Sequence, residues 1–107
     1  MKFKFSRCVA IQAKEKEPAL TFYRDVMGFD TVAVNDNITE LKCAGPGQLF
    51  LDESSLNGPV LEFFVDDIEA ARELLLKNGC KVIRWNGVGK DCFIQDPFGV
   101  IFNLWQE

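Results

Sequence analysis

Histidine is missing from this 107-residue chain. Its absence removes every Ser-His-Asp or Cys-His nucleophile system, every His-dependent zinc site and the usual general base at neutral pH. Basic residues are in deficit too, with 12 Lys and Arg against 16 Asp and Glu and a formal net charge of −4. A nucleic-acid partner needs a basic footprint to neutralise phosphates, so none is expected. No apolar stretch approaches the roughly 20 residues that cross a bilayer. Met1 to Arg7 interleaves charge with aromatics and lacks the apolar core of a signal peptide. No membrane partner and a cytoplasmic location are therefore expected. There is also no CxxC pair. Cysteines at 8, 43, 80 and 92 have the wrong spacing for a zinc knuckle or a thioredoxin-type motif, and read as reduced, mostly buried small hydrophobes. Chemistry is left to carboxylates, thiols, amides or a bound cofactor.

What is present is enough for a core. At 48% hydrophobic and 26% charged, the chain suits one compact domain over residues 1–107. Val9 to Gln12 reads as a first strand. Pro18 fits the first turn of a helix, where its missing N–H costs nothing. Ala19, Phe22, Tyr23 and Val26 give that helix an apolar stripe, and Gly28 ends it. Strands follow over Phe29 to Val34, Ile38 to Cys43 and Leu49 to Leu51. After Asn57-Gly58-Pro59 the same order begins again. Val60 to Val65 is apolar except for Glu62, and Asp66 with Glu69 reads as an acidic capping box, Asp66 being the N-cap. Ile68, Ala71, Leu74 and Leu75 form the second stripe, and Gly79 closes the helix. Cys80 to Trp85, Asp91 to Gln95 and Val100 to Trp105 are the last strands. The turn Asp96-Pro97-Phe98-Gly99 has type I chemistry. Gly87-Val88-Gly89-Lys90 lacks the first glycine of a phosphate loop, residue 84 being Arg, and reads as a hairpin turn.

The chain thus holds a repeat of about fifty residues, visible as pattern rather than identity. Superposing Cys8 on Val60 brings Ala19 onto Ala71, Phe22 onto Leu74 and Tyr23 onto Leu75, and the two helix-ending glycines match within one residue. Neither half can bury a sheet alone, so the halves should pack or pair.

This repeated order carries Ala19-Leu20-Thr21-Phe22-Tyr23-Arg24-Asp25-Val26-Met27-Gly28-Phe29, Val65-Asp66-Asp67-Ile68-Glu69-Ala70-Ala71 and Asp96-Pro97-Phe98-Gly99. In these three segments, and over essentially the whole chain, it resembles the glyoxalase/bleomycin-resistance/dioxygenase family, the vicinal oxygen chelate superfamily. The resemblance implies an α+β fold: two βαβββ modules, about 6–56 and about 60–107, forming a curved mixed-sheet cavity, with the chain paired in a homodimer. It speaks less to activity, because the family spans lyases, isomerases, dioxygenases, thiol transferases and plain drug-binding proteins. Family enzymes carry metal ligands on the first and last strands of each module. Those positions fall on Cys8, on Val60, on Asn103 and somewhere in Leu49 to Asp52, where the register stays open. Thiol, valine and amide make no recognisable divalent-metal set, so no metal cofactor is expected.

Side chains alternate along a strand, so residues sharing parity with those positions should face one cavity. They include Cys8 and Gln12 on the first strand, Glu62 and Phe64 on the fifth, and Ile101, Asn103 and Trp105 on the last. These seven are the expected ligand-binding residues of a mostly apolar pocket with a few polar groups. A carboxylate inside an apolar strand reads as a ligand contact or general base, as a residue on a solvated strand face, or as half of an ion pair with Lys or Arg across the sheet or dimer interface; Glu62 is the candidate for any catalytic role. Gln12 and Asn103 can orient a polar ligand group or satisfy strand-end backbone. Cys8 reads as packing rather than as a nucleophile, having no His to activate it. The function implied is metal-free binding of a small molecule, aromatic or antibiotic-like. The alternative is a metal-dependent lyase, isomerase or dioxygenase with an atypical site built from Glu62 and Cys8. A third reading is a structural or partner-binding domain with a filled cavity.

Overall fold

Eight strands and two helices follow one another in the computed structural model of the chain, which describes residues 1–107. They are β1 (Lys4–Ala13), α1 (Lys16–Thr21), β2 (Thr31–Ala33), β3 (Ile38–Leu41), β4 (Gln48–Glu53), β5 (Gly58–Val65), α2 (Ile68–Lys77), β6 (Lys81–Trp85), β7 (Cys92–Gln95) and β8 (Ile101–Gln106). A strand, a helix and three strands occur twice, the order that the apolar spacing predicts. The first strand starts five residues earlier than expected and β2 is shorter than its apolar run.

The chain divides into two units, Arg7–Pro59 and Met1–Ser6 with Val60–Glu107. In the first, the strand order is β2-β3-β4-β1, with β1 parallel to β4 and the other pairs antiparallel. In the second it is β5-β8-β7-β6, with β5 parallel to β8 and the remaining pairs antiparallel. A parallel pair cannot be closed by a hairpin, so each unit needs the intervening helix and strands as its crossover.

The second unit is built around α2. Its N-cap is Asp67, not Asp66: the Asp67 carboxylate accepts the N–H groups of Glu69 and Ala70. Both residues suit a cap, and Asp67 is the one left extended beside the first helical residue. Glu69 is then free to turn outward, pairing with Arg72 at 2.7 Å and accepting the Trp85 indole N–H at 3.4 Å. Ile68 and Ala71 are fully buried among Val65, Cys92, Ile94, Phe102 and Leu104, with Leu61, Phe63 and Leu75 packed against them. Leu74 leaves the expected stripe and is 41% exposed. Ile68, Ala71 and Leu75 already meet the sheet, and Leu74 lies on their flank. At the C-terminus Cys80 N–H reaches Leu75 O at 3.1 Å and Gly79 N–H reaches Leu76 O at 3.3 Å. This is a Schellman closure. It needs the left-handed φ of +93° that Gly79 adopts, a conformation open to glycine at no steric cost.

The first unit holds its helix more loosely. Glu15 makes no side-chain cap; instead the Glu53 carboxylate at the end of β4 accepts Lys16 N–H at 2.9 Å. After Thr21 the chain widens into a π-turn over Phe22–Val26, with Met27 N–H bonded to Phe22 O. The wider turn shifts the register, so the expected stripe splits. Ala19 and Tyr23 are half-buried, while Phe22 and Val26 are 49% and 71% exposed. No residue of this helix is fully buried, and the unit's core rests on Leu41 and Leu51 with Thr39 beside them. In β1, Arg7 adopts a φ of 66°, a left-handed conformation that β-carbons disfavour. Gly47 lies against it, so that a Cβ there would meet Arg7 O at 2.8 Å. The thiols differ from expectation: Cys92 is buried, Cys8 and Cys80 are half-buried and Cys43 is exposed, with no disulfide among them.

Candidate binding site

The strands of the second unit present two faces, and α2 identifies them. Leu61, Phe63 and Val65 of β5 and Phe102 and Leu104 of β8 belong to the α2 cluster. Phe63 confirms the assignment, its ring lying edge-on to Phe102 at 5.1 Å and to Phe5 at 6.1 Å. By alternation, Val60, Glu62 and Phe64 with Ile101, Asn103 and Trp105 project from the other face. Five of the seven residues expected to bind a ligand are therefore brought together here: Glu62, Phe64, Ile101, Asn103 and Trp105.

Register arranges them in rows. Glu62 lies opposite Asn103 and Phe64 opposite Trp105. The first row continues across the sheet, since Asn103 pairs with Phe93 and Phe93 with Arg84. Glu62 is half-buried, and both of its oxygens are held. Ser6 Oγ donates to Oε2 at 2.8 Å and Asn103 Nδ2 donates to Oε1 at 3.2 Å. Asn103 Oδ1 in turn accepts the backbone N–H of Cys92 at 2.8 Å. A chain of hydrogen bonds thus fixes the carboxylate through neutral donors, and it forms none of the ion pairs of the molecule. At the far end of the row the Arg84 guanidinium stacks 4.9 Å over the Phe93 ring and bonds Asp91 at 3.0 Å. Of the two roles open to Asn103 the structure shows the backbone-satisfying one, and its amide also donates to Glu62.

Ser6, Phe93 and Arg84 join Glu62 and Asn103 on this face, and sequence reasoning missed them. Cys92, Phe93 and Ile94 are buried in succession, so β7 shows no alternation to read. Ser6 lies before the segment read as the first strand. Extending that strand toward the terminus with the parity of Cys8 would have found it.

Cys8 and Gln12 belong to the first unit. Cys8 is half-buried and lies opposite Gln48. Gln12 is 3% exposed and bonded at both ends of its amide: Ser54 Oγ donates to its Oε1 at 2.7 Å, and its Nε2 donates to Ala10 O at 3.2 Å. The backbone-satisfying role is the one this geometry supports for Gln12.

A divalent metal of the kind the resemblance implies does not fit these residues. Val60 has no donor atom. The one ligating oxygen of Asn103 accepts an N–H, and the carboxylate beside it accepts from two donors. The parallel pairing of β1 and β4 closes the register that the sequence leaves open over Leu49 to Asp52. Phe50 stands opposite Ala10 as Asn103 stands opposite Glu62, so the matching position of the first unit is also without a donor. Nowhere do three His, Cys, Asp or Glu side chains gather to hold an ion. No helix is long and apolar enough to cross a membrane.

Comparison with known proteins places this geometry. The profile of the Glyoxalase/Bleomycin resistance protein/Dioxygenase superfamily matches residues 6–104. Solved structures agree at the level of fold. A glyoxalase/bleomycin resistance protein/dioxygenase superfamily member from Vibrio splendidus 12B01 superposes with a TM-score of 0.63 at 16% identity, covering 98% of this chain and 97% of that one. Streptomyces coelicolor methylmalonyl-CoA epimerase gives 0.61 at 18% identity, covering 96% and 94%. Homoprotocatechuate 2,3-dioxygenase from Brevibacterium fuscum gives 0.66 at 19% identity, covering 99% of this chain but 37% of its own. No curated protein matches the chain in sequence.

Proposed function

The chain belongs to the glyoxalase/bleomycin resistance protein/dioxygenase superfamily, and on that premise we propose that it is a metal-free small-molecule-binding protein. Its ligand, aromatic or antibiotic-like, rests on the sheet face that carries Glu62. One observation carries the reading: a carboxylate fixed by Ser6 and Asn103, with the half-buried Phe64 and the partly open Trp105 in the adjoining row. Rings offer a flat apolar body to stack upon, and a fixed polar group sets orientation, which is the composition of a small-molecule site. Asn103 Oδ1, the one oxygen through which that residue could ligate, already accepts the Cys92 N–H, and Val60 and Phe50 bring no ligating atom, which supports binding without a metal. A homodimer is what membership of the family suggests for the assembly. Thiols outside any disulfide support a cytoplasmic setting.

Thermal denaturation against a panel of aromatic and antibiotic compounds, followed by isothermal titration of the hits, tests the reading. A ligand present at about 100 times its Kd should add about 2.7 kcal/mol to stability. Trp105→Ala should weaken each hit about fivefold or more, because stacking on an aromatic ring contributes roughly 1 kcal/mol beyond the area it covers. A panel without a single stabilising compound contradicts the proposal. Stoichiometric metal in protein purified without chelator, with stabilisation by Ni, Zn, Mn or Fe, would favour the metal-dependent enzyme instead.

A further inference from the structure

The charge arithmetic of the Glu62 row narrows the ligand. The row and its immediate partners hold three acidic or basic side chains besides the Cys92 thiol: Glu62, Arg84 and Asp91. Arg84 is committed to Asp91 at 3.0 Å and to the face of Phe93. It also stands three strands from Glu62, since the row runs from β5 through β8 and β7 to β6. At about 4.8 Å per strand that is roughly 14 Å, far beyond the reach of a salt bridge. No cation of this row or of its partners pairs with Glu62, whose half-buried carboxylate is held by neutral donors alone.

Its geometry leaves room for one. A carboxylate accepts about four hydrogen bonds, and Ser6 Oγ and Asn103 Nδ2 provide two of them. Both donors are neutral, so they orient the oxygens without cancelling the charge. The neighbouring row supplies the rest of a cation site. Phe64 is two residues along β5 on the same face, and Trp105 stands opposite it and is 38% exposed. Aromatic faces attract ammonium groups held within about 6 Å of the ring, more strongly for Trp than for Phe.

From this juxtaposition we infer that the ligand of the Glu62 face is an organic cation: a protonated amine borne on a flat aromatic body. The amine donates to the Glu62 oxygens, and the aromatic body lies along Phe64 and Trp105. This inference rests on the small-molecule reading above and adds the sign of the charge.

Three matched probes test it by isothermal titration at neutral pH: 2-naphthylmethylammonium, the neutral 2-naphthylmethanol and the anionic 2-naphthoate. The wild-type protein should bind the ammonium at least tenfold more tightly than either of the others. Glu62→Gln keeps the side-chain shape and should abolish that preference while leaving the affinity for 2-naphthylmethanol unchanged. Glu40→Gln, at the corresponding row of the first unit, should change neither. Equal affinities, a preference for the anion, or a cation preference that survives Glu62→Gln would overturn the inference while leaving a binding protein. Failure of the wild type to bind any of the three overturns it as well. The broader compound panel then decides separately whether the binding reading falls. The wild-type ratio needs no variant, so the inference stays testable even where Glu62→Gln fails to fold.

Discussion

The two units share a strand order and differ in what they have done with it. In the second, the row facing away from the helix reads Glu62, Asn103, Phe93, Arg84, with the first two joined by a hydrogen bond. The corresponding row of the first reads Ala10, Phe50, Glu40, Val32, and its carboxylate faces Lys42 at 3.5 Å. The helices diverge in the same direction. α2 has a side-chain cap, two fully buried residues and a Schellman closure, whereas α1 has none of the first two and ends in a π-turn. Duplicated topology therefore does not imply duplicated chemistry. The polar chain on the sheet face and the tighter core occur together in the second unit, which suits a site whose side chains must hold their positions.

Substitutions made in pairs, one in each unit, sharpen this contrast. The largest effect belongs to the core. Ile94→Ala should cost about 2–5 kcal/mol, its side chain having no exposed surface. Leu20→Ala in the half-buried first helix should cost clearly less than that range. Urea denaturation measures both, and equal losses would erase the distinction between the cores. The helix-ending glycines come next. Gly28 and Gly79 both adopt positive φ. Alanine in that conformation costs about 1 kcal/mol or somewhat more. Only at Gly79 does the new Cβ also meet a neighbour, Pro97 at 3.3 Å, so Gly79→Ala should show the lower Tm of the two.

The helix starts should separate more gently. Asp67→Ala removes a cap and should cost about 1 kcal/mol. Glu15→Ala, where no side-chain cap exists, should cost almost nothing. For the first helix the loss should appear instead in Glu53→Ala, whose carboxylate meets Lys16 N–H. The smallest effect is kinetic. Burial, reinforced by the nearby Asp96 charge, pushes the Cys80 thiol up from its ordinary value. A raised value keeps the unreactive thiol form to higher pH. Alkylation of Cys80 should therefore lag behind that of exposed Cys43 near pH 8, and the lag should shrink as pH climbs. Any stability that Cys80 contributes through this shift is present below the ordinary thiol range and is lost as pH rises through its raised value.

Much of this contrast was legible in the residues themselves. Gly79, the Asp96-Pro97-Phe98-Gly99 turn and the alternation of β5 and β8 are local signals, and the turn forms as its chemistry requires, with Asp96 O accepting Gly99 N–H. Strand parity, counted from the ligand positions that the family resemblance implies, gathered Glu62, Phe64, Ile101, Asn103 and Trp105. What escaped depends on pairing or on small local competition. Phe93 and Arg84 join the row only through the β7–β8 and β6–β7 registers, and Phe50 becomes the counterpart of Asn103 only once β1 and β4 are aligned. Asp66 and Asp67 are equal capping residues by type, and only the bonds that Asp67 Oδ1 accepts from Glu69 and Ala70 N–H decide between them. The π-turn at Phe22–Val26 leaves no mark in a stripe that looks regular at helical spacing.

A two-dimensional amide NMR titration with a hit from the compound panel tests the central claim most directly, because the chain carries its own reporters on both faces of one unit. The Asn103 side-chain amide and the Trp105 indole N–H lie on the Glu62 face, while the Trp85 indole bonds Glu69 at the start of α2. Binding as described should shift the Asn103 and Trp105 signals in proportion to occupancy and leave Trp85 in place. Saturable shifts at Trp85 or along α1, with Asn103 and Trp105 unmoved, would contradict it.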